Sequence, residues 1–130
     1  LDSCTKFSDY VELAVQNGQR AIASTEHGKP LGWVTKKMLC DKAGIRFIHG
    51  VEIYLTETLE EKVRDNYHTV LLARNMAGVL ELNRLISRSC DKDHFYYTNR
   101  ISFDTKGHSN YLFLFTVMFS SRMHLHAFSV

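Results

Sequence analysis

Two hydrophobic periods alternate along this chain, and that alternation limits its fold more than any other feature. Residues 5–17 carry Phe7, Tyr10, Val11 and Ala14 at helical spacing, with Asp9, Glu12 and Gln16 off that stripe. Thr5 or Ser8 is placed to cap the start of this helix, and Gly18 suits its end. Residues 21–25 then read as a strand. Pro30, the only proline, opens a second helix over 31–42, closed by Gly44. Residues 45–55 are mostly extended, and the charged stretch 56–66 reads as a loop. Residues 67–73 form another apolar strand. Asn75 caps a further helix whose buried stripe is Val79, Leu82, Leu85 and Ile86. The order helix, strand, helix, strand, strand, helix predicts an α/β fold, with a mostly parallel sheet covered by helices.

In folds of that kind ligands sit at the carboxyl ends of strands. Here those ends carry Glu26 and His27, then Glu52, while His68 stands somewhat earlier in its strand. In the run from Ile22 to Gly28 an apolar strand meets an acid, a histidine and a glycine. The glycine permits a sharp turn and leaves His27 at the rim. The plainer reading is a strand end with an ordinary surface histidine. Near the carboxyl end stands Met123-His124-Leu125-His126. Residues two apart on a strand point the same way, so His124 and His126 present two imidazoles to one site. Such a pair suits zinc or a similar divalent ion, and the competing reading is a solvated pair near a frayed end.

Composition adds bounds. The 130 residues suffice for one domain with a real core. A net charge of +2 is too small to argue for nucleic acid by itself. Cys4, Cys40 and Cys90 are odd in number and widely spaced, as expected of reduced thiols in a cytoplasmic protein. The apolar run 111–119 is too short to span a bilayer. His49 reads as a packed strand residue, and His94 and His108 as surface. Trp33, Met38 and Leu39 are expected in the core, and Lys36, Lys37 and Lys42 on a solvated helix face.

Taken together, four segments resemble the PHP (polymerase and histidinol phosphatase) family. They are His124-Leu125-His126, Thr25-Glu26-His27-Gly28, Gly50-Val51-Glu52 and Tyr67-His68-Thr69-Val70-Leu71-Leu72-Ala73. The subtype that opens the alpha subunit of bacterial DNA polymerase III is indicated by that last strand followed by Asn75, Gly78, Leu82, Asn83, Leu85 and Ser87. Phe95-Tyr96-Tyr97, Arg100-Ile101 and Lys42-Ala43-Gly44-Ile45 fit the same subtype. The resemblance covers residues 1–104 and 123–130, and 105–122 are expected to be a joining segment. In the family the H-x-H strand comes first and runs into the first helix. Here it ends the chain, and joining Val130 to Leu1 would restore the family opening. The order therefore reads as rotated, or circularly permuted.

The resemblance implies a partial, distorted TIM-type barrel around a metal cleft. His124, His126, Asp2, His27, Glu52 and His68 match positions that bind divalent metals (zinc, manganese or magnesium) in active members. Glu52 is the bridging carboxylate, and with His27 it is expected to act in catalysis. The implied reaction is phosphoester hydrolysis, a 3′–5′ proofreading nuclease in some polymerase members. DNA and other replisome subunits are the implied partners. Glu26 replaces the usual aspartate, which is expected to alter the surroundings of His27. The family's later ligands, another His or Cys and a final D-x-H strand, have no counterpart here. Two alternatives stay open: a non-catalytic module that stabilises the polymerase and binds its partners, and a small-molecule phosphatase of the histidinol phosphatase kind.

Overall fold

The computed structural model describes residues 4–62, 66–106 and 109–116. Helix α1 spans Phe7–Gln16 and starts without a side-chain cap, since Lys6 holds the cap position and Ser8 bonds Asp9 instead, at 3.1 Å. It stops as expected: the Gln19 N–H donates to the Ala14 carbonyl at 2.8 Å and the Gly18 N–H to that of Val15 at 3.0 Å. Strand β1, Ala21–Ser24, leads to helix α2, Trp33–Lys42. The same paired bonds end α2, from Ile45 to Cys40 and from Gly44 to Asp41. Strands β2, Arg46–Thr56, and β3, Tyr67–Ala73, follow. Helix α3, Met76–Ser89, is capped as its sequence predicts, by Asn75 Oδ1 accepting the Gly78 N–H at 3.1 Å. Strands β4, Phe95–Tyr96, and β5, Thr98–Ser102, then helix α4, Phe103–Lys106, and strand β6, Leu112–Thr116, complete the described chain.

The long strand β2 is the spine of the sheet. On one edge it pairs antiparallel with β3, matching Glu52 to Val70 and Tyr54 to His68. On the other edge β1 and β5 lie end to end, both parallel to β2, β1 beside residues 46–49 and β5 beside 54–56. β6 pairs antiparallel with β3, and β4 with β5. The sheet is therefore mixed, not mostly parallel. The cause is the loop between β2 and β3. A parallel return needs a crossover of about a dozen or more residues, usually a helix, and this loop is shorter than that and holds no helix among its described residues. The stretch 105–122, read as a joining segment, supplies the edge strand β6.

Two apolar clusters support this sheet. Val51, Ile53 and Leu55 on one face of β2 pack with Leu71, Ile101 and the α3 residues Leu82, Leu85 and Ile86. Val11 and Ala14 of α1, Cys40 of α2 and Ile45 form a second cluster with Phe7, Ile22, Leu39 and Phe47 against it. At roughly 25 cal/mol per Å² of apolar surface, these contacts supply the main drive for folding. Met38 is 66% exposed, against expectation. The inward stripe of α2 runs through Trp33, Lys36 and Cys40, and Met38 lies about 140° around the helix from Trp33. For the same reason Lys36 is drawn inward, whereas Lys37 and Lys42 stay exposed.

His94, expected at the surface, is buried, with Nδ1 3.1 Å from the Arg100 carbonyl. The β4–β5 hairpin folds back over it. Arg100 is 1% exposed and ties that hairpin to the β2–β3 loop: Nε donates to His94 O at 3.2 Å, Nη1 to Glu61 O at 2.9 Å and Nη2 to Leu59 O at 3.3 Å. His108 lies outside the described residues. Among the described residues, no helix is long and apolar enough to cross a membrane.

Candidate metal centre

The register of β1 on β2 runs past the end of β1. Ser24 pairs with His49, and after a short break His27 pairs with Glu52 in the same register. Two backbone bonds fix the second pair, from Gly28 N–H to Glu52 O at 2.7 Å and from Glu52 N–H to Glu26 O at 3.0 Å. Residues paired in this way share a face of the sheet, so His27 stands beside Glu52. The antiparallel return of β3 brings His68 opposite Tyr54, two residues along from Glu52 on that same face. His68 lies near the start of its strand and Glu52 past the middle of its own, and the antiparallel register brings them together. As a result His68 Nδ1 lies 2.7 Å, and His27 Nδ1 3.2 Å, from one oxygen, Glu52 Oε1.

The carboxylate is the floor of this site and the imidazoles are its rim. The Glu52 side chain is 11% exposed, that of His68 38% and that of His27 55%. The Tyr54 ring stands edge-on to His68, centroids 4.9 Å apart. Gly50 makes the close approach of three strands possible. A Cβ there would meet Leu72 Cδ2 at 2.5 Å and the Leu71 and Ser24 carbonyl oxygens at 3.0 Å each. Gly28 leaves the site at a φ of +63°, where a side chain would be strained.

Glu26 has side-chain partners of its own. Both its oxygens accept from Ser24 Oγ, at 2.8 and 2.7 Å, and it forms an ion pair with Lys36. Lys36 Nζ also donates to Ser24 Oγ at 3.1 Å and lies 5.4 Å from the Phe7 ring centre. Burial pushes the Lys36 pKa down, and the carboxylate in contact with it favours the charged form. His49 lies on the apolar face of β2, against the Trp33 ring, with Nε2 lacking a hydrogen-bond partner among the described residues. Burial holds its pKa below the ordinary histidine value, and a bond to Asn83 acts the other way.

Two imidazoles and a carboxylate are a donor set suited to zinc or manganese. Donors that share one tetrahedral ion at 2.0–2.2 Å stand about 3.3 Å apart. The 3.2 and 2.7 Å separations found here are each near or below that value, so the donor chemistry suits an ion while the spacing is that of hydrogen bonds to one oxygen. Without an ion they form a hydrogen-bonded cluster. Among the described residues no group of three or more His, Cys, Asp or Glu is already spaced to hold a metal. Asp2, His124 and His126 lie outside the described residues. The Ser24–Glu26–Lys36 cluster and the contact of Asn99 with Gly28 were not anticipated from the sequence, where no local pattern marks them.

The PHP domain family matches residues 1–126 of this chain. A DNA polymerase III subunit alpha from Borreliella burgdorferi is 36% identical over 110 residues, covering 80% of this chain and 10% of that protein. Its counterpart from Aquifex aeolicus is 30% identical over 115 residues, with coverage of 80% and 10%. An error-prone DNA polymerase from Symbiobacterium thermophilum is 36% identical over 87 residues, 67% of this chain and 7% of that protein. The chain spans about a tenth of the length of the curated relatives it matches.

Proposed function

The chain belongs to the PHP domain family, and from that premise we propose that it is the PHP portion of a bacterial replicative DNA polymerase alpha subunit, with a divalent ion held by His27, Glu52 and His68. The observation that carries this reading is the convergence of both imidazoles on Glu52 Oε1. Zinc, manganese or magnesium bound there supplies an activated water and a clamp for a phosphoryl oxygen, which is phosphoester hydrolysis. His27 and His68 would present nitrogen donors and Glu52 a carboxylate oxygen, and the apolar cluster behind β2 keeps water from the far side of the sheet.

Asp2, His124 and His126 complete the set in this proposal. Its support is an edge: among the described residues β1 pairs only with β2. A parallel strand carrying His124 and His126 on the other edge of β1 sets two more imidazoles beside His27. The sheet is then the front part of a distorted TIM-type barrel. In this arrangement residues 1–104 and 123–130 are PHP elements in rotated order. DNA and other replisome subunits are the partners of the parent protein, as the names of the relatives suggest.

A non-catalytic reading has its own support. Among the described residues one carboxylate serves the cluster, and no three donors are already spaced for a metal. A two-metal mechanism requires ions about 3.5–4 Å apart in set geometry. We expect the isolated chain to bind metal better than it cleaves. After loading with zinc or manganese and dialysis, it should retain one ion per chain at neutral pH. Retention should be lost in Glu52→Gln and weakened about tenfold or more in His27→Ala and His126→Ala. It should also fall as pH drops, because protons compete for imidazole. No retained ion in the unmodified chain overturns the metal reading. Rapid release of a 3′ nucleotide from single-stranded DNA, abolished by His126→Ala, overturns the non-catalytic one.

A further inference from the structure

Along the edge of β2 that carries β1 and β5 there is a gap. β1 ends at Ser24, opposite His49, and β5 takes up pairing with β2 only from Tyr54. Between those points the single bridge of His27 to Glu52 holds the edge. The chain then turns away through Gly28, which is buried. Its carbonyl points out of the ladder, yet it has a partner. Asn99 Nδ2, on β5, donates to Gly28 O at 2.9 Å across 71 residues of sequence. The two residues touch: a Cβ built on Gly28 would lie 3.1 Å from that nitrogen. The same amide lies 3.9 Å from Cys90 Sγ, just past the end of α3.

We propose that Asn99 is a positioning residue of the metal centre, whose side-chain amide anchors the Gly28 carbonyl and so holds His27 against Glu52. The inference rests on the metal reading above for its purpose, but not for its geometry. Of the three converging side chains, that of His27 is the most exposed, at 55% against 38% for His68. Its position beside Glu52 follows from the backbone at 26–28, which carries it. That backbone is fastened on one side by the Glu52 ladder bonds and on the other by Asn99. Glu26, clamped by Ser24 and Lys36, fastens it from the opposite face. An amide suits the task because a carbonyl only accepts, and Asn offers a donor on a short stem.

The test uses the full chain and Asn99→Asp, which keeps the shape and loses the donor. Two readouts are taken. The first is hydrogen exchange of the Gly28 amide in metal-free protein. It is expected to quicken about tenfold or more, with amides of Ile53 and Leu71 changing much less, as for a local opening. The second is cobalt affinity. Asn99→Asp is expected to weaken it about tenfold, in the range found for partners that orient metal ligands. In a His27→Ala background the same substitution should cost nothing further. Equal losses in both backgrounds overturn the proposal, because Asn99 would then act on the fold at large. So does unchanged exchange at Gly28. If the unmodified chain binds no cobalt, the metal reading fails by itself, and the exchange at Gly28 alone decides whether Asn99 anchors this backbone.

Discussion

On one face of β2, Val51, Ile53 and Leu55 are 0–3% exposed and meet α3, β3 and β5 through aliphatic contacts. On the other face, Gly50, Glu52 and Tyr54 adjoin a cluster built from single atoms: one carboxylate oxygen and two ring nitrogens. The first face works by area. Its contribution grows with every methylene buried and depends little on direction. The second works by position. It depends on register, on two backbone bonds and on a glycine that lets neighbouring strands close in. The apolar face is what holds the register, because a slip of one residue would turn Val51, Ile53 and Leu55 to the wrong side. Chemistry on one face is thus placed by packing on the other.

Three experiments press on this contrast. Leu55 is fully buried, so Leu55→Ala should lower the unfolding free energy by about 2–5 kcal/mol. Urea titration measures it, and a loss below about 1 kcal/mol would break the claim that this face carries stability. Gly50→Ala tests whether the site face also has a structural member. The added methyl meets Leu72 Cδ2 at 2.5 Å and two backbone carbonyl oxygens at 3.0 Å. The side chain can shift more easily than the carbonyls, and a cost of about 1–3 kcal/mol follows. Glu52→Gln, on the same face, should change stability by less than about 1 kcal/mol while abolishing metal retention. If Gly50→Ala is as stable as the unmodified chain, strand closure around Gly50 is looser than described.

The smallest effect concerns pH. Burial lowers the pKa of His49 in the fold, so the folded state resists a proton that the unfolded chain accepts. Stability from this residue is present above the ordinary histidine pKa, about 6.5. It is lost as pH falls through that value toward the lower folded one. Denaturation at pH 7.5 and pH 5.5 should show a smaller drop for His49→Phe than for the unmodified chain. An equal drop would mean that the apolar face is not what holds His49 neutral.

Much of the architecture was legible in the sequence wherever a few neighbouring residues decide the outcome. The cap at Asn75, the stops after Gln16 and Lys42, and the stripe Leu82, Leu85 and Ile86 all follow from contacts within about one or two helical turns. His27, Glu52 and His68 were named as a set by the family resemblance more than by strand ends, since Glu52 lies inside β2 and His68 near the start of β3. The direction of β3 could not be read from its short apolar run, because a strand covered on both faces reads much the same in either direction.

What tertiary structure decided were the pairings between residues far apart in the chain. Glu26 looked like a member of the site, but α2 packs so that Lys36 reaches it. His94 looked exposed until the hairpin folded over it with Arg100. Asn99 and Gly28 are 71 residues apart, and no local pattern links them. Local sequence marked which groups could bond and most of the helices and strands, though not β4, β5 or β6. A polar group takes whichever partner the packing brings within about 3 Å, and that distance exists only once the apolar faces have set the register.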